Sequence, residues 1–116
     1  MREISAIEGF VVASVVDPLT GTVLASAPSA GDESVQVTAS GAAELMHALS
    51  VMTSQLATGA MVEDMIVTTT DRYHFVRVVE PARGETALLV VTVDRARSRL
   101  AVALREVRDA GTICAG

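Results

Sequence analysis

Cysteine occurs once in this 116-residue chain, and lysine not at all. The single thiol, Cys114, excludes an internal disulfide and any metal site built on several thiolates. It stands two residues from the end, so it does not form the four-residue prenylation signal. Aromatic residues are 3% of the chain, too few for a platform on which bases stack. Positive charge is also scarce. Nine Arg face 14 acidic residues, for a net charge of −5 and a pI near 4.9. That balance argues against non-specific nucleic-acid binding. No apolar run reaches the length needed to span a bilayer. The start, Met1-Arg2-Glu3-Ile4-Ser5, lacks the basic and then apolar segments of a secretory signal. A cytoplasmic protein is expected, with no membrane insertion.

What the chain has in excess is apolar surface. Half its residues are hydrophobic, 20% are charged, and mean hydropathy is +0.44. One domain over residues 1–116 is expected from the length. It is long enough to bury a core without staples. The surplus suggests burial between subunits.

The surplus is concentrated in residues 33–56, which read as one long helix. After Glu33, the only formally charged residue before Glu63 is Glu44. Val35, Thr38, Ala42, Leu45, Leu49, Met52 and Leu56 recur at steps of three and four, a heptad-like stripe. Ala39, Ala43 and Met46 widen it. Such a helix has apolar cover to offer on two sides, one for its own sheet and one for a second molecule. Asp32 or Ser34 can cap its start, and Glu33 suits its positive end. Gly59 is expected to cap its end near Thr58. Gly41, inside the helix, costs about 1 kcal/mol relative to alanine. A close approach by the sheet or by a partner helix would explain it.

The rest reads in order. Residues 2–7 form a short helix ended by Gly9. Residues 10–16 are a strand apolar on both faces, hence central in a covered sheet. Asp17-Pro18-Leu19-Thr20-Gly21 is a turn into a strand at 22–26. A loop containing Pro28 and Gly31 leads to the long helix. Strands follow at 65–70, 73–79 and 86–93, with turns at Asp71-Arg72 and at 80–85, which holds Pro81 and Gly84. In the second of these, Tyr73, Phe75, Arg77 and Val79 share one face, and His74, Val76 and Val78 the other. The third is again apolar on both faces. Asp94 is placed to cap a final helix over 95–110, with Leu100, Val102, Ala103, Leu104 and Val107 on its apolar side. A loose tail is expected over 111–116. The fold class is α+β.

This order resembles the Roadblock/dynein-light-chain (LC7) family, over nearly the whole chain and in its bacterial, small-GTPase-regulating form. The phrases that carry the resemblance are Ile7-Glu8-Gly9-Phe10-Val11-Val12, Gly21-Thr22-Val23-Leu24-Ala25-Ser26, and Ala87-Leu88-Leu89-Val90-Val91 followed by Asp94 and an Arg/Leu-rich helix. None contains a catalytic group. The resemblance implies a profilin-like five-stranded antiparallel sheet, with the long helix on one face and the terminal helices on the other. It also implies a homodimer, with long helices side by side and sheets joined at the strand after them. Here the interface would hold Ala42, Leu45, Leu49, Met52 and Leu56 of the helix and Met65, Val67 and Thr69 of the strand. The implied partner is a Ras-like small GTPase. Arg72 and Arg77 are the candidate contacts to it, because an arginine can stabilise phosphoryl-transfer charge. The N-terminal helix is shorter than in many relatives.

Catalytic and metal readings find little support. There is no Gly-x-Ser-x-Gly elbow and no Walker loop. His47 has Glu44 at ligand spacing but no third ligand. His74 as a base lacks an evident partner. Glu63 and Asp64 fit a solvated turn, or a charge that breaks a sheet edge. The Arg95, Arg97, Arg99 cluster reads as a solvated helix end. No enzyme activity and no cofactor is expected. Besides the GTPase adaptor, two readings stand: a structural dimer that scaffolds a sensor histidine kinase, and a small-molecule sensor with a pocket between sheet and helix.

Overall fold

The strand Ala87–Asp94 is buried along seven consecutive residues, from Ala87 to Val93. A strand so apolar on both faces must lie inside a sheet covered on both sides, and the computed structural model places it there. Residues 2–28, 33–56, 58–80 and 85–115 are described. The elements are α1 (Arg2–Ser5), β1 (Phe10–Val16), β2 (Val23–Ala27), α2 (Glu33–Gln55), β3 (Asp64–Thr68), β4 (Arg72–Val79), β5 (Ala87–Asp94) and α3 (Leu100–Ala115). The five strands are antiparallel in the order β2-β1-β5-β4-β3. This is the α+β sheet expected, with β5 in the middle and β2 and β3 as edges.

Strand alternation divides the core in two. On one face, Val16, Val76, Leu88 and Val90 meet Ala39, Ala42, Ala43 and Met46 of α2. On the other, Ala13, Phe75, Leu89, Val91 and Val93 meet Ile4 of α1 and Ala103, Val107 and Ala110 of α3. Burying each large side chain contributes roughly 1.5–3 kcal/mol.

Several boundaries differ from the sequence reading, each for a local reason. The long helix ends at Gln55 rather than near Thr58. Thr53 and Ser54 donate their hydroxyls back to the Ser50 and Val51 carbonyls, and Leu56 N–H turns to the Thr53 carbonyl at 3.2 Å. Such back-bonding competes with helix continuation. Gly59 does have a left-handed φ of 74°, but it lies past the helix end rather than at it. Ser34, one candidate cap, is the second residue of the helix. The other, Asp32, lies outside the described residues, as do Gly31, Pro81, Gly84 and the side chain of Glu33.

The final helix begins at Leu100, not Arg95. Asp94 caps a separate 3-10 turn, Arg95–Arg97, by accepting from Ala96 N–H at 3.0 Å. Ser98 then runs extended and donates to the carbonyls of Glu8, at 2.9 Å, and Asp94, at 2.7 Å. Those bonds anchor the chain beside Gly9 and break the helix from the turn. At the far end, the expected loose tail is helical through Ala115. Gly111 is buried there, against Arg77 and Val79.

Candidate functional site

The helix α2 turns its small residues inward. Its buried side chains are Ala39, Ala42, Ala43 and Met46, while Val37 is 70% exposed, Leu45 49%, Met52 51% and Leu56 60%. The usual amphipathic helix does the reverse. Here the sheet supplies the bulk, as Val16, Val76, Leu88 and Val90, so the helix must come close to fill the layer. Met46 apart, the large apolar side chains of α2 are half-buried or left on the outside.

The helix also covers only part of its face of the sheet. It packs mainly on β1, β2 and β5, reaching β4 at Val76, and beside the β3 edge a groove of about 240 Å³ stays open. Its helix wall is Thr38, Gly41, Ala42 and Leu45, and its sheet wall includes Met65, Val67, Thr69 and His74. Register explains the sheet wall. Met65 pairs with Val76 and Val67 with His74, so these point toward α2, while Asp64, Ile66 and Thr68 point away. Among the described residues, no carboxylate lines the groove.

Five of the eight sequence-derived interface residues therefore share one groove: Ala42, Leu45, Met65, Val67 and Thr69. Ala42 belongs at the same time to the protomer's own core. Met52 and Leu56 continue the exposed stripe of α2 past the groove, and Leu49 is half-buried between. At Gly41 the sheet is not the reason for glycine: among the described residues, the helix's own nearby backbone aside, no atom comes within 4 Å of where its Cβ would stand. The close approach occurs at Gly21 instead, where a Cβ would meet Ser40 Cα at 3.2 Å.

His74 stands at the sheet wall of the groove, its Nδ1 2.9 Å from Thr92 Oγ1. Burial lowers its pKa from the ordinary 6.5. The Arg72 cation lowers it further, and Asp71 opposes them. In the sequence this residue reads only as a candidate catalytic base. Alternation placed it on the α2 face, but the groove beside it follows from the lateral position of α2, which no local pattern encodes.

The two arginines expected to meet a partner have different surroundings. Arg72 is exposed at the start of β4, on the α2 side. Arg77 lies on the opposite face. It is held to Asp64 at 3.1 Å, and Arg108 of α3 reaches the same carboxylate oxygen at 3.0 Å. Asp64 is thus neither a solvated turn residue nor an edge breaker. It ties the edge strand to β4 and α3. Arg95 is not part of a helix end either. It donates to the Thr69 carbonyl at 3.0 Å and lies 5.8 Å from the centre of the Tyr73 ring, clamping the turn between β3 and β4.

On the other flank of α2, Glu44 and His47 line a cleft with Pro18, Leu19 and Gly21. Among the described residues, no group of three His, Cys, Asp or Glu side chains is placed to hold a metal ion. No helix among them is long and apolar enough to cross a membrane.

No family model matches the sequence, and no curated protein matches it either. Solved structures do match the fold. One is described as MglB with tetrameric arrangement, at a TM-score of 0.77 and 20% identity, covering 98% of this chain and 81% of that one. A gliding protein MglB from Thermus thermophilus gives the same score and identity, covering 98% and 82%. A Roadblock/LC7 domain from Streptomyces avermitilis gives 0.71 and 19%, covering 90% and 82%. At these identities the likeness establishes the fold: this chain has the Roadblock/LC7 fold, as its strand and helix phrases suggested.

Proposed function

We propose that residues 1–116 act as one unit, a cytoplasmic, non-catalytic adaptor that pairs with a second copy of itself and receives a Ras-like small GTPase. The observation that carries the pairing is the inverted α2. It buries alanines and exposes Val37, Leu45, Met52 and Leu56 beside an uncharged groove and an edge strand. Joining at that edge would pair the open backbone groups of β3 and cover the apolar stripe. The bare backbone at Gly41 gives a second helix room to approach.

The GTPase half of the proposal rests on the sequence resemblance and on fold neighbours described as MglB, one of them in a tetrameric arrangement and one named a gliding protein. Arg72, exposed beside the groove, is the better placed of the two arginines to touch a partner. The kinase-scaffold alternative gains no observation of its own.

Light scattering tests the pairing, with twice the chain mass expected and a protomer mass at high concentration overturning it. Pull-down with a Ras-like GTPase, loaded with GDP or with a GTP analogue, tests the partner. A hydrolysis assay then separates a platform from a regulator of turnover. Binding in neither nucleotide state would overturn the GTPase reading and leave the pairing untouched.

A further inference from the structure

We infer that His74 makes the self-association of this chain pH-dependent, with the pair held by the neutral imidazole and released when it is protonated. This rests on the proposed pairing through the α2–β3 groove and names its regulation.

The geometry is specific. His74 is in a row across the sheet, Val12–Thr92–His74–Val67, on the face toward α2. Its hydrogen-bonded neighbour in the row, Thr92, is 1% exposed. A threonine hydroxyl can donate to or accept from a neutral imidazole, so this contact does not require the cation.

Among the described residues around His74, Asp71 is the anion that favours the cation, and burial with Arg72 outweighs it. From α2 come Thr38, Gly41, Ala42 and Leu45, all uncharged. From β3 come Val67 and Thr69, with Asp64 on the opposite face bonded to Arg77 and Arg108. From β5 comes Thr92, with Asp94 at the strand end capping the next turn. From β4 comes Arg72, a second cation. Asp71 is the acid that opposes it, and its carboxylate accepts from the Thr69 hydroxyl at 2.9 Å.

A second copy seated on the groove removes the remaining water and brings the same charge-poor helix. Desolvation then disfavours the imidazolium more in the pair than in the protomer. The sign follows from proton linkage. Above the ordinary histidine value of 6.5 the imidazole is neutral in both states, and association has full strength. As pH falls through the protomer's own value, itself held below 6.5 by burial and Arg72, the protomer takes up protons that the pair refuses. Association then weakens by up to about tenfold per imidazole, or ~100-fold for two, per pH unit.

The experiment is sedimentation equilibrium from about pH 5 to about pH 8, where histidine is the side chain that ordinarily titrates. It compares the wild-type chain with His74→Gln and with His47→Gln, the variant of the only other histidine. Expected is a pair that dissociates as pH falls, unchanged in His47→Gln and insensitive to pH in His74→Gln. If His74→Gln fails to fold, NMR titration of the wild-type imidazole at high and low protein concentration replaces it, with a lower titration point expected at high concentration. A pair whose strength ignores pH, or whose pH response survives His74→Gln, overturns the inference but not the pairing. So does an NMR titration point that does not move with concentration. A protomer at every pH overturns both.

Discussion

Gly111 of α3 lies against Arg77 of β4, so close that a Cβ at Gly111 would stand 3.1 Å from Arg77 Cδ and 3.3 Å from its Nε. The helix can settle there because one residue has no side chain. Arg77 is then directed across β3 to Asp64. Gly111→Val should push α3 off the sheet and cost about 1–3 kcal/mol, as overpacking does. Gly111→Ala should cost less, since the flexible arginine can yield and alanine favours the helix by about 1 kcal/mol. Urea denaturation of both variants checks the ranking.

Asp64→Asn should leave two guanidinium groups without their shared carboxylate. The Arg77 side chain is 23% exposed and that of Arg108 50%, so solvent screens much of the loss. About 1–2 kcal/mol of destabilisation is expected from Asp64→Asn. Arg108→Ala should cost less, ~0–1 kcal/mol. Thermal unfolding of the two variants separates them.

Substitutions on α2 should sort by flank. Leu45→Asp and Met52→Asp place a charge on surface that is open in the protomer, so each should halve the solution mass while circular dichroism is unchanged. Ala39→Asp and Ala43→Asp bury an unpaired carboxylate among Val16, Val76 and Leu88 and should unfold the chain. Equal outcomes from the two sets would mean that α2 has no outward apolar side.

Leu89 is fully buried at the centre of the sheet, on the α3 face. Leu89→Ala should cost about 2–5 kcal/mol, transfer and cavity together. The variant's urea midpoint, measured against wild type at one protein concentration, gives that difference.

The protomer should show its own pH dependence. His74 has a lowered pKa when folded, so the unfolded chain binds the proton more readily. Its stabilising contribution is complete above 6.5 and declines as pH falls below it. Unfolding of the Met52→Asp variant, whose new charge lies outside the groove, at a series of pH values measures this without association, and adding His74→Gln should remove the decline.

Much of the fold is legible in the sequence because its signals are local. The doubly apolar runs at 10–16 and 86–93 marked central strands, and alternation from Tyr73 to Val79 assigned the two faces of β4. The helical end of the chain is not legible in this way, because Gly111 disfavours a helix locally and its packing against Arg77 is a contact between distant residues. Asp94 reads as the cap of α3 because the bond from Ser98 to the Glu8 carbonyl, which helps to set the 3-10 turn apart, joins residues ninety apart in the chain.

By itself, then, the sequence determined which segments are helix and which are strand, that the sheet has two covered faces, and that α2 has more apolar surface than one contact needs. Periodicity along the chain is enough for that. Only the tertiary structure decided which side of α2 turns inward. Bulky valines and leucines on the sheet leave a thin layer that alanines fill, and this puts Leu45, Met52 and Leu56 outside. It also decided that Asp64 joins two arginines and that His74 stands in a groove. Those relations depend on lateral strand order and on where a helix rests across it, and separation in space has no period in the sequence.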